Sequence, residues 1–226
     1  MKKLGLYIVN YMYRDYLPFC LNSLIRQSKK PDYVVFIDDC SKDDSLKVLE
    51  YYLDKFKIDK IIINQDNLGT VKTVNKAVNH LIENGCDYFC GISTDDVFDR
   101  DYLKKTYDLL SKSDKDVGFV YTWVRRVGLE NKIDAHPDFD AELLMRKPYI
   151  HGSSMIKKEC WQSVGGLPEA DKEEDWAMYR KMAGLGWKGL VIKEPLLLWR
   201  KHATTRTLYG NKSGEVRLNK FKEEKI

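Results

Sequence analysis

A chain of 226 residues, 43% hydrophobic and 12% aromatic, is long enough for one domain with a sizeable core and too apolar for a disordered polymer. Its 38 basic and 34 acidic side chains leave a net charge of +4, too little to make nucleic-acid binding the default. The excess sits at the C-terminus. From Lys201 on, Arg206, Lys212, Arg217, Lys220, Lys222 and Lys225 join Lys201 against only Glu215, Glu223 and Glu224. Residues 203–226 therefore read as a basic tail, either solvated or suited to an anionic membrane or polymer. No run approaches the roughly 20 apolar residues of a bilayer span, and the apolar run after Lys2-Lys3 is too short for a secretory signal. The expectation is a cytoplasmic protein, with peripheral contact at the inner membrane face through the tail. The five cysteines (Cys20, Cys40, Cys86, Cys90, Cys160) fit no disulfide or zinc spacing and read as small buried residues in a reducing compartment.

Residues 6–9 form the first strand-like run. Asp15 is placed to cap a helix carrying Leu17, Leu21, Leu24 and Ile25 at spacings of three and four. Residues 33–37 are continuously apolar, as in a strand buried on both faces, and a helix with Leu46, Leu49, Leu53 and Phe56 on one side follows. Residues 60–63 form a third strand. Gly69 opens a helix with Val71, Val74, Ala77, Val78 and Leu81 in register, and residues 87–92 form a fourth strand. The second half is less regular: a strand at 118–124, a loop with a short helix at 134–148, a strand at 153–156, a helix at 173–185, and two short strands at 190–192 and 196–199 around Pro195.

Strands alternating with helices predict βαβ units and a parallel sheet, and such sheets bind ligands outside the carboxyl ends of their strands. Polar clusters fall there: Asn10-Tyr11, Asp38-Asp39, Asp66-Asn67 and Asp95-Asp96. Each alone is ordinary turn chemistry; four after four apolar runs point to a shared cleft. Adjacent carboxylates such as Asp95-Asp96 suit a hard divalent cation bridging a diphosphate, or a ribose. Their other use, capping the next helix, is better served by Asp99 and Asp101. Glu173-Glu174-Asp175 at a helix start favours the macrodipole and leaves room for a general base. His202 is either a structural histidine or a nitrogen ligand near an acidic site.

In order, the segments at 35–43 (Val-Phe-Ile-Asp-Asp-Cys-Ser-Lys-Asp), Gln65 to Gly69 with Asn75, Ser93-Thr94-Asp95-Asp96, residues 150–156 with 164–168, Glu174-Asp175-Trp176 and Leu198-Trp-Arg-Lys-His202 resemble the motifs of family 2 inverting glycosyltransferases of the GT-A fold. The resemblance runs from Leu6 to His202. It implies an α/β GT-A fold with a mostly parallel central sheet flanked by helices. It also implies one catalytic domain at 1–202, with a nucleotide-binding half at 1–100 and an acceptor-side half at 101–202. Asn10, Tyr11, Asp39, Asn67 and Asp95 would then bind the nucleotide, a UDP-sugar first of all. Asp96 and His202 would hold Mn²⁺ or Mg²⁺, Asp175 would be the general base, and Glu174 would position a glycan or lipid-linked acceptor. Three positions depart from the family pattern: Ser93 replaces the first Asp of the extended acidic motif, Met12 stands where Asn is frequent, and Cys40 replaces Gly.

Two other readings share some of these features. A sugar nucleotidyltransferase would carry a Gly-rich phosphate loop after the first strand, where this chain has Asn10-Tyr-Met-Tyr-Arg14. A non-catalytic nucleotide-sugar or glycan-binding module would keep the pocket but lack Asp175. No G-x-G-x-x-G follows any strand, which counts against a dinucleotide oxidoreductase.

Overall fold

The computed structural model describes residues 2–169 and 173–202; the basic tail at 203–226 lies outside the described residues. Strands β1 (Leu4–Asn10), β2 (Tyr33–Asp38), β3 (Lys60–Ile63) and β4 (Tyr88–Ser93) lie side by side, all parallel, in the order β3-β2-β1-β4. Helices α1 (Leu17–Ile25), α2 (Ser45–Glu50) and α3 (Gly69–Glu83) connect them.

The second half comprises β5 (Val97–Phe98), α4 (Tyr102–Ser111), β6 (Val117–Gly128), β7 (Lys132–Asp134), α5 (Ala141–Arg146), β8 (Met155–Lys157), α6 (Lys158–Ser163), α7 (Glu174–Gly184) and β9 (Lys188–Lys201). The same sheet continues β4-β8-β6-β9-β5, with β7 on β6. β8 is antiparallel to both β4 and β6, so β6 and its parallel neighbour β9 point the same way as β1 to β4. Six of the nine strands among the described residues thus share one direction, as the alternation of strands and helices predicts.

Both faces of the central strands β1, β2 and β4 are covered, which is why they read as unbroken apolar runs, while edge strand β3 stays largely exposed. Leu4, Leu6 and Ile8 of β1 and Val34 and Phe36 of β2 enter one core with α1, α2 and α4. Tyr7, Val35 and Ile37 enter the opposite core with α3, α5, α6 and α7. Each such aliphatic or aromatic side chain contributes about 1.5–3 kcal/mol on full burial. Tyr7 pairs in register with Gly91 of β4, and a Cβ on Gly91 would sit 1.9 Å from the tyrosine ring; the missing side chain is the space the ring occupies.

Several local expectations change. Asp15 does not cap α1. The helix starts at Leu17 without a side-chain cap, because Tyr16 and Leu17 donate their N–H groups to the Tyr13 carbonyl and Pro18 brings no N–H to be capped. Neither Asp99 nor Asp101 caps α4: Asp101 stands at the N-cap but its Oδ1 accepts from the Ser28 hydroxyl at 2.6 Å, and Asp99 Oδ1 accepts from the Asp101 N–H at 3.0 Å. The helix expected through Phe56 stops at Glu50, and turns carry Tyr52 and Phe56 into the core while Leu53 stays exposed. The two strands around Pro195 are one, β9: Pro195 faces Trp123 at a shift in register, so its missing N–H falls at an irregularity in the ladder. Helix α6 lay within a stretch whose sequence periodicity is too short to announce it.

Candidate functional site

Strand register brings the predicted clusters together. Ile63 faces Asp38, Asp38 faces Asn10, and Val9 faces Ser93, so β3, β2, β1 and β4 end side by side. Asn10 is fully buried and fastens three of these ends. Its amide donates to Asp38 Oδ1 at 2.7 Å and Ser41 Oγ at 3.1 Å, and accepts from Thr94 Oγ1 at 2.6 Å. Tyr11 is half-buried beside it.

The adjacent aspartates do different jobs. Asp38 accepts from Asn10 and from the Ser41 N–H and hydroxyl, shaping its own turn. Asp39 reaches the start of α3: Oδ1 accepts from Asn64 Nδ2 and the Leu68 N–H, and Oδ2 from the Gly69 N–H, all at 2.9 Å. A carboxylate has about four acceptor directions, and these three bonds leave one of them on Asp39. Asn67 is exposed and accepts from the Gly69 N–H at 3.0 Å, closing the turn before α3. Sequence reasoning missed Asn64, which joins Asp39, Thr73 and Lys76; its only signal was its place at the end of β3.

The family departures at Met12 and Cys40 have a shared physical meaning. Both residues hold left-handed backbone, with φ of 58° and 66°, the region that Gly and Asn tolerate and other residues occupy at a cost of about 1–2 kcal/mol. Replacing Cys40 with Gly is expected to stabilise the chain by up to about 1 kcal/mol, because added unfolded-state entropy offsets part of the relief. A rise in the urea midpoint checks it. An unchanged or lower midpoint would mean that the Cys40 Sγ contact to the Gln65 carbonyl outweighs the strain.

Strand β5 pairs antiparallel with β9, Val97 facing Leu198, and this lays residues 199–202 along the acid pair. Asp96 Oδ1 accepts from the Arg200 N–H at 2.9 Å, and the Asp95 carbonyl from Arg200 Nε at 3.1 Å. The Arg200 guanidinium stacks on Tyr16 and Phe19 at 5.1 and 5.5 Å. Asp95 Oδ2 lies 3.2 Å from His202 Nε2, whose ring is flanked by Tyr13 and Tyr16. Burial first, and the Asp95 charge second, push the Asp96 carboxyl well above the usual carboxylate range; the Arg200 N–H and charge oppose them.

Asp95 Oδ1 is buried without a partner among the described residues. An orphaned carboxylate oxygen beside a second buried carboxylate is costly unless a cation offsets it. Hard oxygens with one imidazole suit Mn²⁺ or Mg²⁺, so the residues fit such an ion. Among the described residues no three His, Cys, Asp or Glu side chains converge on a ready-made cation site, so phosphate oxygens would have to complete the shell.

The second acidic centre opens α7. Glu173 is left-handed at φ 57°, Glu174 is buried, and Asp175 is half-buried against Gly152. Gly152 lies in the turn before β8. β8 pairs antiparallel with β4, Phe89 facing Ile156, so the chain approaches β8 from the direction of the carboxyl end of β4. Two donated bonds join the halves: the Asn75 amide of α3 donates to the Leu167 carbonyl and accepts from its N–H, at 2.8 and 2.9 Å.

His151 precedes Gly152. Its Nε2 accepts from the Thr122 N–H at 3.3 Å, and burial, then the His136 charge, push its pKa down to about 3. An unfolded chain protonates this ring near 6.5, so its contribution to stability is complete above that pH and drains as pH falls toward 3. His151→Gln is expected to flatten the acid limb of stability by about one proton, about 1.4 kcal/mol per pH unit. Urea titrations between pH 4 and 6 measure this; an unchanged slope refutes the neutral buried ring.

A sequence model of the family described as Glycosyl transferase family 2 matches residues 6–182. The chain belongs to glycosyl transferase family 2. This family 2 glycosyltransferase is 26% identical over 225 residues to the chondroitin synthase of Escherichia coli, covering 97% of this chain and 31% of that protein. It is 25% identical over 189 residues to the hyaluronan synthase of Pasteurella multocida, covering 80% and 19%. It therefore spans less than a third of the length of these two relatives. Among solved structures it resembles S. aureus TarS 1–349 in complex with UDP-GlcNAc, with a TM-score of 0.75 at 18% identity over 96% of this chain and 64% of that one. It also resembles the mannosyltransferase PcManGT of Pyrobaculum calidifontis in complex with GDP-Man and Mn²⁺, with a TM-score of 0.69 at 16% identity, covering 90% and 58%. The fold of this family 2 glycosyltransferase is GT-A.

Proposed function

We propose that residues 1–202 form one catalytic domain that moves a sugar from a nucleotide-diphosphate sugar, a UDP-sugar first of all, to a hydroxyl of a glycan or lipid-linked glycan, with inversion at the anomeric carbon. The observation that carries this reading is the buried, orphaned oxygen of Asp95 beside Asp96; Asp175 of α7, packed against the Gly152 turn, supplies a second acidic centre. The likeness to structures solved with UDP-GlcNAc and with GDP-Man supports a nucleotide-sugar donor.

Tyr11 and Asp39 form the base side of the pocket, with Asn10 buried behind them holding the strand ends together, and the remaining acceptor direction of Asp39 takes an imide N–H. Asn67 holds the loop before α3, and Asp95 faces the ribose or the diphosphate. Asp96 and His202 would hold Mn²⁺ or Mg²⁺, which when bound supplies positive charge to the departing diphosphate. Asp175 takes the proton from the acceptor hydroxyl as that oxygen attacks the anomeric carbon from the side opposite the leaving group. The carbon–oxygen bond to phosphate breaks in the same displacement, and the configuration inverts. Glu174, buried next to the base, orients the acceptor side. No helix among the described residues is long and apolar enough to cross a membrane, and a lipid-linked acceptor would be met at the membrane surface through the tail at 203–226.

Calorimetry with UDP-, GDP- and other nucleotide sugars, with and without Mn²⁺ or Mg²⁺, tests the reading. Metal-dependent binding of a UDP-sugar and release of UDP are expected; no binding of any nucleotide sugar in the presence of metal refutes it.

A further inference from the structure

We infer that Gly152 is the positioning residue for Asp175: its missing side chain is the seat on which the Asp175 carboxylate rests. This rests on the proposed role of Asp175 as the base. A Cβ on Gly152 would lie 2.5 Å from Asp175 Oδ2 and 2.8 Å from both Cγ and Oδ1. All three of its nearest neighbours belong to one carboxylate. The glycine is not needed for its backbone, because Gly152 is absent from the glycines with positive φ. Space alone explains it.

The seat cannot retreat. The Ser154 N–H and hydroxyl both donate to the His151 carbonyl, at 3.3 and 2.8 Å. The Tyr179 hydroxyl donates to the same carbonyl at 3.2 Å, and the Tyr102 hydroxyl to the Ser153 carbonyl at 2.5 Å. The Thr122 N–H holds the His151 ring. The other side is equally fixed, since Met178, Tyr179 and Met182 bury α7 in the core. Between two fixed backbones, the part able to yield is the end of the Asp175 side chain. Beneath it, burial and then the Asp175 charge raise the pKa of the Tyr7 hydroxyl, in keeping with a carboxylate turned toward the core side of the turn. A Cβ would therefore displace the carboxylate by about 1 Å, and a misplacement of that size costs about 10²-fold in rate.

Gly152→Ala is expected to lower kcat for sugar transfer about 10²-fold, with the affinity for UDP and Mn²⁺ unchanged. The acidic limb of its kcat–pH profile should shift, since the carboxylate leaves its place beside the Tyr7 and Tyr179 hydroxyls. In an Asp175→Asn background the same change should add nothing, because the two act through one group. A folded Gly152→Ala enzyme with kcat within about threefold of the parent and an unmoved pH profile overturns the inference. If Gly152→Ala does not fold, it is paired with Asp175→Ala: restored folding locates the clash at the carboxylate and supports the inference, and no restoration overturns it. Full turnover by Asp175→Asn would instead sink the assignment of the base, so the two failures are distinguishable.

Discussion

Replacing Asp175 with Asn is expected to lower kcat for transfer by about 10³-fold while leaving donor affinity within about twofold. The amide keeps the size of the carboxylate and so its fit on Gly152, where the space for one more carbon is already lacking. What it loses is the lone pair that takes the acceptor proton, and general-base catalysis of this kind is worth about 10²–10⁴-fold. The first turn of α7 also loses a negative charge near its positive pole, a change of about 0.3–1 kcal/mol that leaves the fold intact. Single-turnover assays with saturating donor and acceptor, alongside UDP calorimetry, separate the two effects. A variant that retains turnover would move the base elsewhere, with the neighbouring Glu174 the first place to look.

Asp96→Asn is expected to make the metal-free protein more stable and the metal response vanish. Two carboxylates buried side by side repel one another, and Asp96 is held well above its ordinary pKa by burial and by Asp95. The amide removes that cost while its oxygen still accepts from the Arg200 N–H, which the carboxylate does now at 2.9 Å. Replacing buried charge with a neutral group of similar shape stabilises by about 1 kcal/mol or more. In the parent, Mn²⁺ with UDP at about 100 times its dissociation constant is expected to add about 2.7 kcal/mol; in the variant that increment should disappear along with transfer. Thermal melts with and without Mn²⁺ and UDP read both quantities. A variant with the parent's metal-induced shift in Tm removes Asp96 from the metal-binding role.

The parts of the fold legible in the sequence are those decided locally. Residues 33–37 declare a doubly buried strand because every side chain is apolar, and α3 declares itself by the spacing of Val74, Ala77, Val78 and Leu81. The meeting of the polar clusters was legible because parallel strands end together, so that Asn10, Asp38 and Ser93 meet by register. Partner choice was not legible. Asp38 and Asp39 are neighbours, yet one closes its own turn and the other reaches α3, a difference set by which way each side chain leaves the strand end. Arg200 meets Asp96 across 104 residues of sequence separation, through a β5–β9 pairing that two-residue β5 does not announce. Asp15 failed as a cap for a related reason: the Tyr13 carbonyl already takes the N–H groups a cap would serve. Gly152 is silent in one dimension, because its meaning lies in what stands opposite.

The sheet runs unbroken from β3 to β5, and the core beneath it includes Leu4 and Ile92 together with Val117, Met155 and Leu197. The proposed donor and acceptor halves are therefore parts of one sheet and not separate folding units. Neither can turn on the other without parting the ladders that three-residue β8 makes with β4 and β6. Amide hydrogens on β8 should exchange as slowly as those on β1, and the protein should melt in one transition. In the proposed reaction, entry of the donor and exit of the product then fall to the loops at the strand ends and not to the swinging of lobes.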